Sequence, residues 1–181
     1  MVIQGEIPSG VQPDCVDDFF VEVDKDTGRA FYVPTKINVY HPRRGGRIVG
    51  TFLLDQNTGA VIEETANVSP VAQIGHRVII AAGTRISSEE GRPTVIGDDT
   101  LIEDKVSIYP GVNVEPRAAI FRRATIQRDS QVGARATIGA RALLRPGTQV
   151  EPGGVVFASE TTRAGSVIQS SYREPLSRIP R

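Results

Sequence analysis

Every sixth residue from Ile96 to Val156 is aliphatic: Ile96, Ile102, Ile108, Val114, Ile120, Ile126, Val132, Ile138, Leu144, Val150 and Val156. Hydrophobic residues are only 39% of the chain, so eleven consecutive matches are a pattern and not an accident of composition. Four residues after each aliphatic the side chain is small or short: Thr100, Val106, Val112, Ala118, Ala124, Ser130, Ala136, Ala142, Thr148 and Gly154. Glu160 breaks this second rule and is read as the end of the repeat. Upstream, Ile62, Val68, Ile74, Ile80 and Ile86 keep the same phase. Ile86 and Ile96 are ten apart, so four residues are inserted between them.

A period of six with one large and one small inward residue rules out the 3.6-residue period of an amphipathic helix. It predicts a left-handed parallel β-helix, an all-β triangular solenoid in which three hexapeptides make one coil. About five coils stack at the strand spacing of ~4.8 Å, each too thin to stand without its neighbours. The expected organisation is a β-hairpin extension over 1–60, the β-helix over 61–161 and an extended tail over 162–181. In the extension, Phe19–Val23 and Ala30–Val33 flank an Asp24–Gly28 loop, and Thr51–Leu54 and Ala60–Ile62 flank an Asp55–Gly59 loop. Both loops end in Thr-Gly, which suits a hairpin turn. The first resembles the start of a calcium loop but has no glutamate at its twelfth position, and is read as a turn. The basic stretch Tyr40–Arg47 is read as a solvated turn.

Residues 18 apart are expected to stack. Asn113, Gln131 and Gln149 then form an amide column. Lys105, Arg123 and Arg141 form a basic column that needs carboxylates from a neighbour or an anion. Leu101, Ala119, Thr137 and Val155 form an outward apolar column, with Phe121 and Phe157 beside it. Exposed stripes of this kind mark interfaces, and closed threefold symmetry suits this one, so a homotrimer is expected.

Lys+Arg and Asp+Glu are both 21, which gives no support to nucleic acid as a partner. No apolar run is long enough to cross a membrane as a helix. The opening MVIQGEIPSG has no signal-peptide character, and Cys15 is a lone thiol, so a reducing cytoplasm is expected.

Residues 74–104, with the Glu89-Glu90-Gly91-Arg92-Pro93 insertion and the Ile96-Gly97-Asp98-Asp99-Thr100-Leu101-Ile102 strand, resemble γ-class carbonic anhydrases and the anhydrase-like domain of the carboxysome scaffold protein. The resemblance covers roughly 62–160. It implies a zinc held by three histidines from two subunits, where the metal lowers the pKa of bound water to ~7. Here those positions fall at Tyr109, Pro116 and Phe121, none able to replace imidazole. The family's loop arginine falls at Ser87, and its strand Asn and Gln at Leu101 and Glu103. Glu89 keeps a carboxylate in the loop. The chain's two histidines are His41 and His76.

The expectation is therefore a non-catalytic trimeric scaffold or assembly subunit of this fold, with no cofactor. Two alternatives stand beside it. One is a hexapeptide acyltransferase using an acyl-CoA, with His76 as general base at a subunit groove and Arg123 and Arg141 on the phosphates. The other is an anhydrase with an atypical metal site drawn from His76, Glu89, Glu103 and Asp104.

Overall fold

The computed structural model describes strands over 19–23, 30–34, 37–41, 46–50 and 52–55, and residues 58–170 without a break. Cys15, the Asp24–Gly28 loop, residues 42–45 of the basic stretch and the tail beyond 170 lie outside the described residues.

The period of six folds as a left-handed parallel β-helix. Two-residue strands lie on three flat faces, each pairing in parallel with the strand one coil away. The first face stacks Val61–Glu63, Ile79–Ile80, Leu101–Ile102, Ala119–Ile120, Thr137–Ile138 and Val155–Val156. The second stacks Asn67–Val68, Arg85–Ile86, Ser107–Ile108, Thr125–Ile126 and Leu143–Leu144. The third stacks Gln73–Ile74, Val95–Ile96, Asn113–Val114, Gln131–Val132, Gln149–Val150 and Val167–Ile168. No helix occurs among the described residues. Six rungs stand on the first and third faces, one more than the five coils expected.

The second residue of each solenoid strand points inward. Ile80, Ile102, Ile120, Ile138 and Val156 are fully buried along the first face, as are Ile126 and Leu144 on the second. Burying one such side chain contributes roughly 1.5–3 kcal/mol. The small positions are also buried, with Val106, Val112, Ala124 and Ala136 at 0% exposure, because a larger side chain would not fit where the chain turns a corner.

Pairing continues past Glu160. Leu143 bridges Thr161, and Val167–Ile168 pairs with Gln149–Val150. Thr162 takes the inward aliphatic position of this last coil at 5% exposure. Its hydroxyl lies 2.8 Å from that of Thr148 and accepts from the Arg145 N–H at 3.0 Å. A hydrogen-bonded threonine thus substitutes for an aliphatic, which is why the six-residue pattern fades from the sequence before the coils end. Glu160 turns its carboxylate back to the Phe157 N–H at 2.8 Å.

At the other end, β1 (Phe19–Val23), β2 (Ala30–Pro34), β5 (Phe52–Asp55) and β6 (Val61–Glu63) run antiparallel, and β6 is itself the first rung of the first face. The extension therefore covers an edge that would otherwise offer unpaired backbone groups. β3 (Ile37–His41) and β4 (Gly46–Gly50) form a separate hairpin. Tyr40, His41, Gly46 and Arg47, at the two ends of the Tyr40–Arg47 stretch read as a turn, lie in its paired strands.

The inserted four residues leave the prism as a small hairpin. Glu89 and Arg92 bridge each other around Glu90-Gly91, with Gly91 at φ +80°. Register is preserved on both sides: Ile74 pairs with Ile96, Ile80 with Ile102 and Ile86 with Ile108.

Candidate functional site

From Ile74 to Thr162, outside the inserted loop, each corner turns through a residue with positive φ, the third after the inward position. Glycine adopts this conformation freely; other residues pay roughly 1–2 kcal/mol. Among the described residues nine such positions are not glycine, and six of them are cations: Arg77, Lys105, Arg117, Arg123, Arg135 and Arg141. The backbone does not ask for arginine there, so the side chains must explain it.

The edge between the third and first faces stacks Arg77, Asp99, Arg117, Arg135 and Gly153. Their N–H groups from Asp99 on bond to the corner carbonyl one coil below: Asp99 to His76, Arg117 to Asp98, Arg135 to Pro116 and Gly153 to Ala134. Arg77 grips Asp99 with both prongs, Nε to Oδ1 and Nη2 to Oδ2, each at 2.7 Å. Arg117 Nε lies 3.9 Å from Asp99 Oδ2 on the other side. The hydrogen bond from Arg77 holds the Asp99 carboxyl below its ordinary value, partial desolvation works against this, and the charges of Arg77 and Arg117 add to the lowering.

His76 stands at the foot of this edge, with Nδ1 3.5 Å from Asp98 Oδ1. The His76 N–H donates to the same oxygen at 2.8 Å. Gly75 leaves room for that carboxylate: a Cβ there would lie 2.5 Å from Asp98 Oδ1. From Asp98 a groove of about 920 Å³ climbs past Arg117 and Arg135 to Gly153 and Ser170. Asp98, which lines the lower end of this arginine-lined groove, carries the imidazole beside it, an arrangement suited to moving a proton near an anionic ligand.

The acyltransferase alternative draws on His76 as base and on Arg123 and Arg141 for the coenzyme phosphates. Those two arginines stand with Lys105 on the edge between the first and second faces, and the arginines on the His76 edge are Arg117 and Arg135. Phase separates the two sets: residues 105, 123 and 141 share the corner read from the sequence, and 77, 117 and 135 share another, which the insertion conceals. The zero net charge also conceals a separation along the axis. Residues 58–115 carry four bases and nine acids, whereas 116–170 carry eight arginines and three acids.

Tyr109, Pro116 and Phe121 lie near three different edges. Tyr109 is 42% exposed, Pro116 lines the His76 groove and Phe121 is half-buried. The atypical metal set does not assemble: among the described residues no three His, Cys, Asp or Glu side chains are grouped to hold an ion. Glu89 sits in the inserted hairpin. Glu103 is buried, its Oε2 accepting from the Arg122 N–H at 3.0 Å. The apolar column stacks as expected, Leu101 on Ala119 and Thr137 on Val155. It is not a uniformly exposed stripe, since Leu101 and Ala119 are buried within one chain. Val155 is half-buried, and Phe157 is 72% exposed at the far end. Asn113, Gln131 and Gln149 stack in register and are exposed.

A histidine-to-asparagine variant of perosamine N-acetyltransferase from Caulobacter crescentus, solved with CoA and GDP-perosamine, has the same solenoid. The likeness is one of fold. Identity is 22% over 62% of this chain and 50% of that one, with a TM-score of 0.57, so this chain spans about half of that protein. A hexapeptide transferase family protein from Anaplasma phagocytophilum matches at 18% identity over 64% of this chain and 72% of that one, with a TM-score of 0.38. No protein-family model matches the sequence, and no curated protein matches it. No helix among the described residues is long and apolar enough to cross a membrane.

Proposed function

We propose that the protein is an acyltransferase that takes its acyl group from a coenzyme A thioester. The observation that carries this reading is the His76–Asp98 pair at the foot of the groove lined by Arg117 and Arg135. In the proposed reaction His76 Nε2 accepts a proton from the amine or hydroxyl of the acceptor. The acceptor's lone pair attacks the thioester carbonyl, a new carbon–nitrogen or carbon–oxygen bond forms and the carbon–sulfur bond breaks. The departing thiolate takes the proton from the imidazolium. Asp98 orients the ring through Nδ1 and balances its transient charge, and proton transfer by His76 contributes roughly 10²–10⁴-fold. Arg117 and Arg135 supply donors for the phosphates of the coenzyme. The solved perosamine N-acetyltransferase complex holds CoA on the same fold, which supports this choice. A homotrimer, closing the open groove with a second copy, belongs to the same proposal.

The test is thiol release from acetyl-CoA with a panel of amine and hydroxyl acceptors. Transfer that falls at least about 100-fold in His76→Ala supports the reading. Unchanged transfer in that variant sinks the role of His76. Failure of the wild-type chain to bind acetyl-CoA sinks the enzyme altogether.

A non-catalytic assembly role is the second reading, and Phe157 favours it. A phenyl ring 72% exposed at the end of a stacked apolar column suits a protein contact. The γ-carbonic anhydrase likeness belongs with this reading, as a relationship without the metal chemistry.

A further inference from the structure

The edge between the first and second faces holds a second cationic groove, separate from the His76 edge. Lys105, Arg123 and Arg141 stack there in successive coils, and Arg122 joins them in a cavity of about 440 Å³. Among the described residues Asp104 is the one carboxylate lining it. None of the four cations forms an ion pair among the described residues.

Neither backbone geometry nor stability accounts for this column. Lys105, Arg123 and Arg141 have φ of +57°, +60° and +61°, where glycine, as at Gly83 on the same edge, fits without strain. Their backbones stand ~4.8 Å apart in successive coils, so the column gathers like charges on one edge, which favours no stability of its own. The frame that holds them is rigid. Lys105 N–H bonds to Ala82 O, Arg123 N–H to Asp104 O and Arg141 N–H to Arg122 O, at 2.8, 2.9 and 3.0 Å. The buried Glu103 carboxylate fixes the Arg122 amide. Ala140 and Ala158 keep the cavity open.

Cations gathered on strained corners of one frame suit an anion whose charges repeat along the prism axis. Three of the four are arginines, whose forked donors match phosphoryl oxygens. A single carboxylate would neutralise one rung and leave the others unpaired. We propose that this edge binds a condensed phosphate, a chain of two or more phosphoryl groups lying across successive coils.

The experiment is isothermal titration calorimetry of the full chain, without acyl-CoA, using inorganic tripolyphosphate, ATP and orthophosphate. The test variant is Arg123→Gly with Arg141→Gly, which removes two cations and relaxes two strained corners, so it keeps the fold. Circular dichroism should show an unchanged or higher Tm. Tripolyphosphate should bind more tightly than orthophosphate, and the double variant should lose affinity by at least about tenfold. Arg163→Ala, outside the groove, should bind as the wild type does. ATP matching tripolyphosphate identifies the source as a nucleotide tail, and tripolyphosphate alone identifies free polyphosphate; either upholds the site. No binding, or equal binding by the double variant, overturns it. Because acyl-CoA is absent, the result is read apart from the acyl-transfer assay.

Discussion

Arg77 and Asp99 are 22 residues apart, yet they occupy the same corner of adjacent coils and meet in a two-pronged ion pair at 2.7 Å on both sides. The four extra residues of the insertion are looped out, so the partners remain in register. Asp99 also has a positive φ, +56°. One residue therefore both turns the corner and ties two coils together.

The pair makes a pH prediction. The folded state holds the Asp99 carboxyl below its unfolded value of about 3.9. The stabilisation is then fully present above that value and is lost as pH falls through the folded one. Asp99→Asn keeps the corner, because asparagine tolerates positive φ. The variant should melt slightly below wild type at pH 7, and the gap should close below about pH 4. Thermal melts of both proteins between pH 2.5 and 7 check this. A gap that persists at the lowest pH would assign the effect to something other than the ion pair.

Thr100 offers a gain in stability. Its side chain is 1% exposed, and Oγ1 has no hydrogen-bond partner among the described residues. Val78, Ala118 and Ala136 hold the same place in neighbouring coils. Thr100→Val removes a buried hydroxyl and keeps the shape, which should stabilise by about 1 kcal/mol. A rise of roughly 2–4 °C in Tm is expected. A fall would show that the hydroxyl is satisfied.

Gly133 should tolerate no side chain. A Cβ there would collide with the backbone nitrogen of Pro152 and the carbonyl carbon of Glu151, neither of which is a flexible group. Gly133→Ala should cost about 1–3 kcal/mol through forced separation of two coils. Denaturant unfolding would show a lower midpoint, and an unchanged midpoint would mean that the coils part without strain.

Much of this was legible in the sequence, for a physical reason. A solenoid buries its residues by local period, so Ile120 or Leu144 is assigned inward from its spacing alone, and stacking partners follow from adding 18. The same arithmetic gave the amide column and the basic column. It did not give the edge that His76 shares with Arg117 and Arg135, because the insertion shifts the phase between His76 and the later coils by four. Thr162 was missed because a hydroxyl can occupy an aliphatic position when another hydroxyl and an amide meet it. The β3–β4 hairpin was missed because the basic and glycine residues of Tyr40–Arg47 read as one loop, although its strands are as long as β1 and β2.

The Glu89–Arg92 bridge has a use beyond this chain. The loop it closes leaves the prism and returns without disturbing any rung, and its base is anchored by Arg92, whose Nη1 reaches Asp129 Oδ2 at 3.5 Å two coils away in sequence phase. A foreign peptide grafted between Glu90 and Gly91 would begin and end at adjacent points. It would be displayed at a known height on a stiff rod, making the molecule a ready carrier for cargo that needs a defined position.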